Sequence, residues 1–189
     1  MEPLSLEDVR AVESQIGRPP RGFLGVERRC PHGYPQVVRV YPLIDGKPFP
    51  TLFWLTCPFL VAAIDRLETG GEIKRTEGRL ASDPALAARF EETHRGYIEE
   101  REALLSSGDR AFLEGRGMLA SLLEKGIGGT ADFRRVKCLH LHVAHALVRE
   151  NPVGALILDY LRSRACSPQQ VICSARTARS RSANDRRSS

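Results

Sequence analysis

The 189-residue sequence lacks the long apolar runs that would mark it as a membrane protein. No stretch approaches the ~20 consecutive apolar residues that a transmembrane helix needs. The N-terminus, Met1-Glu2-Pro3-Leu4-Ser5, is acidic and does not have the basic-then-apolar layout of an export signal. These absences predict a cytoplasmic protein that does not contact a membrane.

Cysteine is also sparse, and its pattern excludes a disulfide scaffold. The chain has five cysteines, an odd number, and no two of them are spaced as Cys-x-x-Cys. In a chain of this kind, such a count predicts reduced thiols or metal ligands.

The glycine-rich segment 126–129 matches no Walker or dinucleotide-binding fingerprint, so we interpret it as a turn.

Positive charge is concentrated at the C-terminal end. The chain carries a net charge of +5 at pH 7, but residues 162–189 contain seven arginines and only one acid, so the rest of the chain is slightly acidic. The folded part therefore has no bulk attraction for nucleic acid. The C-terminal tail can make a weak, sequence-independent contact with polyanions by counterion release.

The first third of the chain predicts strands and the remainder predicts helices, which is typical of an α+β fold. Short apolar or β-branched segments between turn residues predict a small antiparallel sheet of about three strands. These strands are 25–29, 36–41 and 51–56, with a hairpin-like turn at 42–50 around Asp45-Gly46. The continuous apolar run 51–56 is predicted to be a central strand, covered on both faces.

Helical periodicity and capping residues predict four or five helices packed on this sheet. Ser5 is the predicted N-cap of the first helix, because two acids follow it in the first turn. The predicted helices are 6–16, one from Pro58 to Leu67, one starting at Pro84, 109–123 and 133–149, with a last apolar piece at 155–161. We predict one globular domain over residues 1–161 and a disordered Arg/Ser-rich tail over 162–189.

The densest group of reactive side chains lies in the run 137–145, Lys-Cys-Leu-His-Leu-His-Val-Ala-His. On a helix each residue advances about 100°, so Cys138, His142 and His145 would share one face and His140 would point away. A thiolate and an imidazole four residues apart can bind one metal ion. The alternative is that the imidazoles are hydrogen-bonded groups of the core.

Cys30 and Cys57 share a sequence context, because each ends a predicted strand and precedes a proline. A Cys-Pro step favours a tight turn whose N–H groups approach the sulfur, and Cys57 also precedes a helix. With Cys138 and His142, they would complete the four ligands usual for zinc or an iron–sulfur centre, with His145 as a substitute or neighbour. Both cysteines also fit the pattern of buried small hydrophobic residues.

Several longer motifs carry a resemblance to a known family. They are Arg29-Cys30-Pro31-His32-Gly33-Tyr34-Pro35, Pro50-Thr51-Leu52-Phe53-Trp54-Leu55-Thr56-Cys57-Pro58, Gly126-Ile127-Gly128-Gly129, Val136-Lys137-Cys138-Leu139-His140-Leu141-His142 and Asn151-Pro152-Val153-Gly154. On these motifs, the chain resembles the bacterial, mainly actinobacterial, family known as domain of unknown function 501. The resemblance implies a cytosolic bacterial protein, often encoded near a septum-formation initiator and an exopolyphosphatase, and it implies no catalytic residue.

This chain departs from the family pattern in two places. His32 stands where an aromatic residue is more usual, and the C-terminal end is rich in arginine. Cys166 and Cys173 lie in that divergent end, so the resemblance gives them no role.

Three kinds of function follow from these patterns. The leading prediction is a zinc or iron–sulfur centre. Its ligands are Cys30, Cys57, Cys138 and His142. If His145 lies beside an open coordination position, the centre is catalytic. The first alternative is a metal-free enzyme acting on a phosphorylated or acyl substrate, with Cys57 as nucleophile and with Lys137 and Arg101 binding the anion. The second is a non-catalytic binding module whose tail contacts polyanions or a division-associated partner.

Overall fold

The computed structural model, which describes residues 1–174, contains two antiparallel sheets. The strands are β1 (Glu2–Pro3), β2 (Phe23–Arg29), β3 (Pro35–Val40), β4 (Leu43–Ile44), β5 (Lys47–Pro48) and β6 (Phe53–Leu55). The larger sheet has the order β1-β2-β3-β6, and β4 pairs with β5 in a separate hairpin. The α+β class with a small antiparallel sheet is therefore confirmed.

One helix lies between β1 and β2, and helices make up most of residues 56–174. The helices are α1 (Leu6–Ile16), α2 (Pro58–Thr69), α3 (Glu72–Ser82), α4 (Pro84–Leu104), α5 (Ser107–Gly115), α6 (Ala120–Leu123), α7 (Leu139–Ala146) and α8 (Pro152–Tyr160), with a short 3-10 turn at Ile127–Gly129. Helix α1 starts at the predicted cap, where Ser5 Oγ accepts a 3.1 Å hydrogen bond from the Asp8 N–H. None of the helices within residues 1–174 has both the length and the apolar character required to cross a bilayer.

Strand β3, and not β6, is the central strand of the larger sheet. All six residues of β3 are buried, and β3 pairs with β2 on one side and with β6 on the other. The prediction that 51–56 forms the central strand is wrong, because β6 ends the strand order within the described residues. Its apolar side chains are buried because α7 packs against β6.

Helix α7 lies in the core and joins the sheet to the helices. It contacts β6, α2 and α8, and Leu139, Val143 and Ala144 on it are fully buried. Such a helix, apolar on several faces, is typical of a buried position. The packing of α7 against α2 places the polar side chains at the start of α7 beside the C-terminal half of α2.

The first part of the predicted tail packs against the domain. His32 Nε2 lies 2.8 Å from the Cys166 carbonyl oxygen, and Gln36 Nε2 donates a 2.8 Å hydrogen bond to the Arg164 carbonyl. Cys173 is also buried. Packing against the domain is thus observed beyond residue 161, as far as Cys173. Residues 175–189, with the disorder and the polyanion contact predicted for them, lie outside the described residues.

Candidate functional site

Helix α2 and the start of α7 position one cluster of reactive side chains. Cys138 is the N-cap of α7, and His140 lies in the first turn of that helix. Glu68 lies near the end of α2, and its Oε1 accepts a 2.6 Å hydrogen bond from the Leu139 N–H. The carboxylate therefore caps the N-terminus of α7, where the helix dipole favours a negative charge.

Three atoms of this cluster have the spacing of metal ligands. Cys138 Sγ lies 3.3 Å from His140 Nδ1, and the same nitrogen lies 3.3 Å from Glu68 Oε1. Among residues 1–174, no other group of His, Cys, Asp or Glu brings three ligand atoms within 4.8 Å of one another. We call Glu68, Cys138 and His140 the Cys138 site.

The far side of the His140 ring is also held by hydrogen-bond acceptors. Nε2 lies 3.2 Å from Asp65 Oδ1 and 3.3 Å from the Val61 carbonyl oxygen, both on α2. Burial by itself would lower the pKa of His140, but the hydrogen bond and charge of Cys138 and the charge of Glu68 outweigh it and raise the pKa to about 9. The ring is thus a cation at neutral pH unless a metal ion replaces its proton.

Two residues of the Cys138 site line an apolar cleft of about 300 Å³. Cys138 and His140 are among its lining residues. The rest of the lining is apolar apart from one threonine: Phe49, Thr51, Trp54, Leu55, Val61 and Leu141. A concave, mostly apolar surface with a few polar groups at one end is typical of a small-molecule site.

Helix α7 is shorter than the predicted helix 133–149, which changes the geometry at Cys138. The helix begins at Leu139, and Cys138 has extended backbone angles. The predicted advance of 100° per residue therefore does not apply to Cys138, and its sulfur lies beside His140 and not beside His142. The sequence prediction placed Cys138 on the wrong face because it did not place the start of the helix.

His142 and His145 lie in the core, on a different side of α7 from His140. Their Nδ1 atoms are 3.3 Å and 3.2 Å from Asn151 Nδ2. Burial is the main cause that lowers the pKa of each to about 3, so both rings are neutral at pH 7. These contacts agree with the alternative interpretation of the two imidazoles as hydrogen-bonded core groups.

The structure does not assemble the predicted set of Cys30, Cys57, Cys138 and His142 in the described residues. Helix α2 supplies the physical reason. Cys57 caps the start of α2, whereas Glu68, which contacts the Cys138 site, lies eleven residues further on. At 1.5 Å per residue, this separates the two positions by roughly 16 Å along the helix axis. Burial also raises the pKa of the Cys57 thiol, which makes it a poor nucleophile.

The two predicted anion-binding cations contact backbone carbonyl groups. Arg101 is fully buried, and it donates to the carbonyls of Pro50, Leu122 and Lys125. Lys137 Nζ donates a 2.8 Å hydrogen bond to the Gly128 carbonyl. Arg101 therefore holds the segment before α7 in place and has no exposed face for a substrate anion.

Glu68, Asp65 and His140 are the site residues that the sequence reasoning missed. Asp65 lies near the end of the predicted helix 58–67 and Glu68 lies just past it, and the two project to the same side of α2 because they are three residues apart. That spacing is the one available signal, and it does not identify which distant segment the two carboxylates face. His140 was set aside because helical spacing directed it away from the supposed ligand face.

Fold and site together describe a small α+β protein with a Cys/His/Glu cluster, two residues of which line an apolar cleft. The model of the family described as protein of unknown function (DUF501) matches residues 26–159, and the chain belongs to that family. The Cys138 site lies within the matched range, whereas Cys166 and Cys173 lie outside it. No curated protein and no solved structure matches the chain.

Proposed function

We propose that the Cys138 site binds zinc through Glu68 Oε1, Cys138 Sγ and His140 Nδ1. Zinc is bound in proteins by sulfur, imidazole nitrogen and carboxylate oxygen, and all three types are present here. Three protein ligands leave a fourth position for water or substrate, which is typical of catalytic zinc sites. A single thiolate does not suit an iron–sulfur cluster at this position, because clusters are held mainly by several thiolates.

The observation that carries this proposal is the position of the His140 ring. Its Nδ1 faces Cys138 and Glu68, while its Nε2 faces Asp65 Oδ1 at 3.2 Å. Metal-bound histidines usually donate their second ring nitrogen to a carboxylate or carbonyl oxygen, which fixes the tautomer and the ring orientation. Asp65 and the Val61 carbonyl provide these acceptors on α2.

The apolar cleft suggests what the zinc would act on. A zinc ion with an open position polarises a carbonyl group or activates water. The apolar lining would hold a hydrophobic part of the substrate next to that position and would exclude bulk water. A reducing bacterial cytoplasm is part of this proposal, because Cys138 must stay a thiolate to bind the ion.

Elemental analysis of the full-length chain, purified under reducing conditions without chelator, tests the proposal. We expect Cys138→Ser and His140→Gln each to lower the bound zinc by one equivalent per chain. Glu68→Gln should also lower the bound zinc, because it removes a ligand carboxylate. Its control is Glu92→Gln, which removes an exposed carboxylate on α4 and should leave the zinc content unchanged. Unchanged zinc in both the Cys138 and the His140 variants would refute the assignment.

A second candidate is a metal-free enzyme in which Cys138 is the nucleophile. The favouring observation is the 3.3 Å distance between Cys138 Sγ and His140 Nδ1, because an imidazolium at that distance stabilises a thiolate. Cys138, and not the buried Cys57, would then attack a substrate in the cleft. The result expected from this candidate is zinc-free protein in which Cys138 reacts with iodoacetamide faster than Cys57 and in which His140→Gln slows that reaction.

A further inference from the structure

Two cysteines of the folded domain lie at the start of strand β3. The Cys30 N–H donates a 2.9 Å hydrogen bond to the Tyr34 carbonyl, closing a tight turn immediately before β3. The Thr56 N–H donates a 3.1 Å hydrogen bond to the Gln36 carbonyl. Cys57, which follows Thr56, therefore adjoins the same end of β3. Both Cys-Pro pairs, at 30–31 and 57–58, therefore lie next to residues 34–36.

The segment after α8 brings two more cysteines to this place. Gln15 Nε2 is 2.8 Å from the Pro35 carbonyl oxygen and 3.2 Å from Cys173 Sγ. The Cys166 carbonyl oxygen lies 2.8 Å from His32 Nε2, inside the turn that follows Cys30. Cys166 and Cys173 are thus held against the strand end where Cys30 and Cys57 lie.

Backbone and side-chain contacts thus bring all four cysteines to one place, around residues 34–36. At the same time, no three of the four sulfurs lie within 4.8 Å of one another. A single zinc ion, with bonds of about 2.3 Å to each sulfur, would hold its ligand sulfurs about 4 Å apart.

The surroundings of Cys30 supply positive charge. A cavity of about 450 Å³ adjoins Cys30. Arg28, Arg29 and Arg164 are among its lining residues. An iron–sulfur cluster with four thiolate ligands carries a net negative charge, which nearby guanidinium groups offset, and its ligand sulfurs lie further apart than those around one ion.

We propose that Cys30, Cys57, Cys166 and Cys173 are the ligands of an iron–sulfur cluster that fastens the segment 162–174 to the start of β3. This centre shares no ligand with the Cys138 site, so either assignment can fail without the other. Ligation requires each cysteine to lose its thiol proton to solvent. The cluster would then cross-link three separate parts of the chain, around residues 30, 57 and 166–173.

The test uses the full-length chain purified without oxygen or reconstituted anaerobically with ferric iron, sulfide and dithiothreitol, which supplies the electrons that reduce part of the iron. We expect a brown protein with several irons and a similar amount of acid-labile sulfide per chain. Cys166→Ser and Cys30→Ser should each lower the visible absorbance several-fold. Both cysteines are half-buried, and neither belongs to the hydrophobic core, so both variants should fold, which far-UV circular dichroism checks. Cys138→Ser is the matched control, with another half-buried cysteine replaced, and should stay brown.

A second measurement reports on the fastened segment. Arg164 is exposed, so trypsin can cleave after it. The cluster should slow this cleavage at least tenfold in the wild-type and Cys138→Ser proteins but not in Cys166→Ser. A colourless protein after reconstitution overturns the proposal, as does absorbance that Cys166→Ser and Cys30→Ser leave unchanged. A colourless protein that loses one zinc on Cys166→Ser overturns the cluster in favour of a single ion.

Discussion

Replacing Gly154 by alanine should destabilise the protein strongly, although alanine is the better helix former. Gly154 lies in the first turn of α8, where that helix crosses α7. A Cβ added there would lie 2.5 Å from Ala146 Cβ and 2.6 Å from the His142 carbonyl carbon, with the His142 oxygen closer still. Because two of these three atoms belong to the backbone of α7, a change of side-chain rotamer cannot relieve the clash.

The magnitude follows from three terms. Overpacking a well-packed core costs about 1–3 kcal/mol, and a clash with backbone belongs at the upper end. Moving α8 also disturbs the 2.8 Å hydrogen bond from the Gly154 N–H to Asn151 Oδ1, and losing a buried hydrogen bond costs about 1–3 kcal/mol. The gain in helix propensity from glycine to alanine returns about 1 kcal/mol. The net loss should be about 3–5 kcal/mol.

Gly96→Ala is the matched control, because Gly96 lies inside α4 and a Cβ there meets no atom within 4 Å. That variant should gain about 0.5–1 kcal/mol from helix propensity alone. Urea denaturation followed by far-UV circular dichroism measures both free energies of unfolding. A Gly154→Ala protein as stable as the wild type would show that α7 and α8 do not approach so closely, and the reasoning would be wrong.

Three further predictions concern charged and titratable side chains. Burial lowers the pKa of His94 to about 4 and of His145 to about 3, so the unfolded chain takes up their protons first as the pH falls below 6.5. In the presence of chelator, each histidine should remove about 1.4 kcal/mol of stability per pH unit between pH 6 and 4, as measured by urea denaturation at several pH values. The hydrogen bond from Arg29 is the main cause that lowers the pKa of Asp8 to about 2. Asp8→Asn should therefore lose about 1–2 kcal/mol at pH 7, and the difference from wild type should vanish as the pH falls from 4 towards 2. Arg101→Ala should lose at least ~3 kcal/mol, because three backbone carbonyls lose their donor, whereas a role in substrate binding alone would leave the unfolding free energy unchanged.

Features that depend on neighbouring residues were predictable from the sequence. The capping box of Ser5 and Asp8 is complete within four residues, and α1 begins and ends where predicted. Asp45 and Gly46 both have positive φ in the β4–β5 hairpin, as the Asp-Gly pair indicates. Pro84 opens α4 after the capping Asp83. In each case, the side chain that determines the geometry lies within a few residues of the backbone it orients.

Features that depend on distant contacts were not predictable. Helix α3 (Glu72–Ser82) has a strongly polar sequence with Gly78 inside it, and it is stabilised by packing against α2 and α4, so its own sequence gives a weak signal. The order of the strands follows from tertiary packing, and period-2 patterns do not encode it. The Cys138 site depends on Glu68, which is seventy residues away in the chain from Cys138.

The run from Cys138 to His145 shows how one short motif divides between two environments. His140 faces the acidic end of α2, where its contacts with Cys138 and Glu68 raise its pKa and keep it a cation, whereas His145 faces Phe53 and Tyr97 in the core, where burial keeps it neutral. A motif of alternating histidines is easily interpreted as a single ligand cluster. The helix instead places its histidines in two environments, one of which favours the charged ring and the other the neutral ring. Helix α2 separates Cys57, at its start, from Cys138, which lies beside Glu68 near its end. The two proposed centres, one with mixed donors beside a cleft and one with four thiolates, are compatible with this separation, whereas a single centre that shares Cys57 and Cys138 is not.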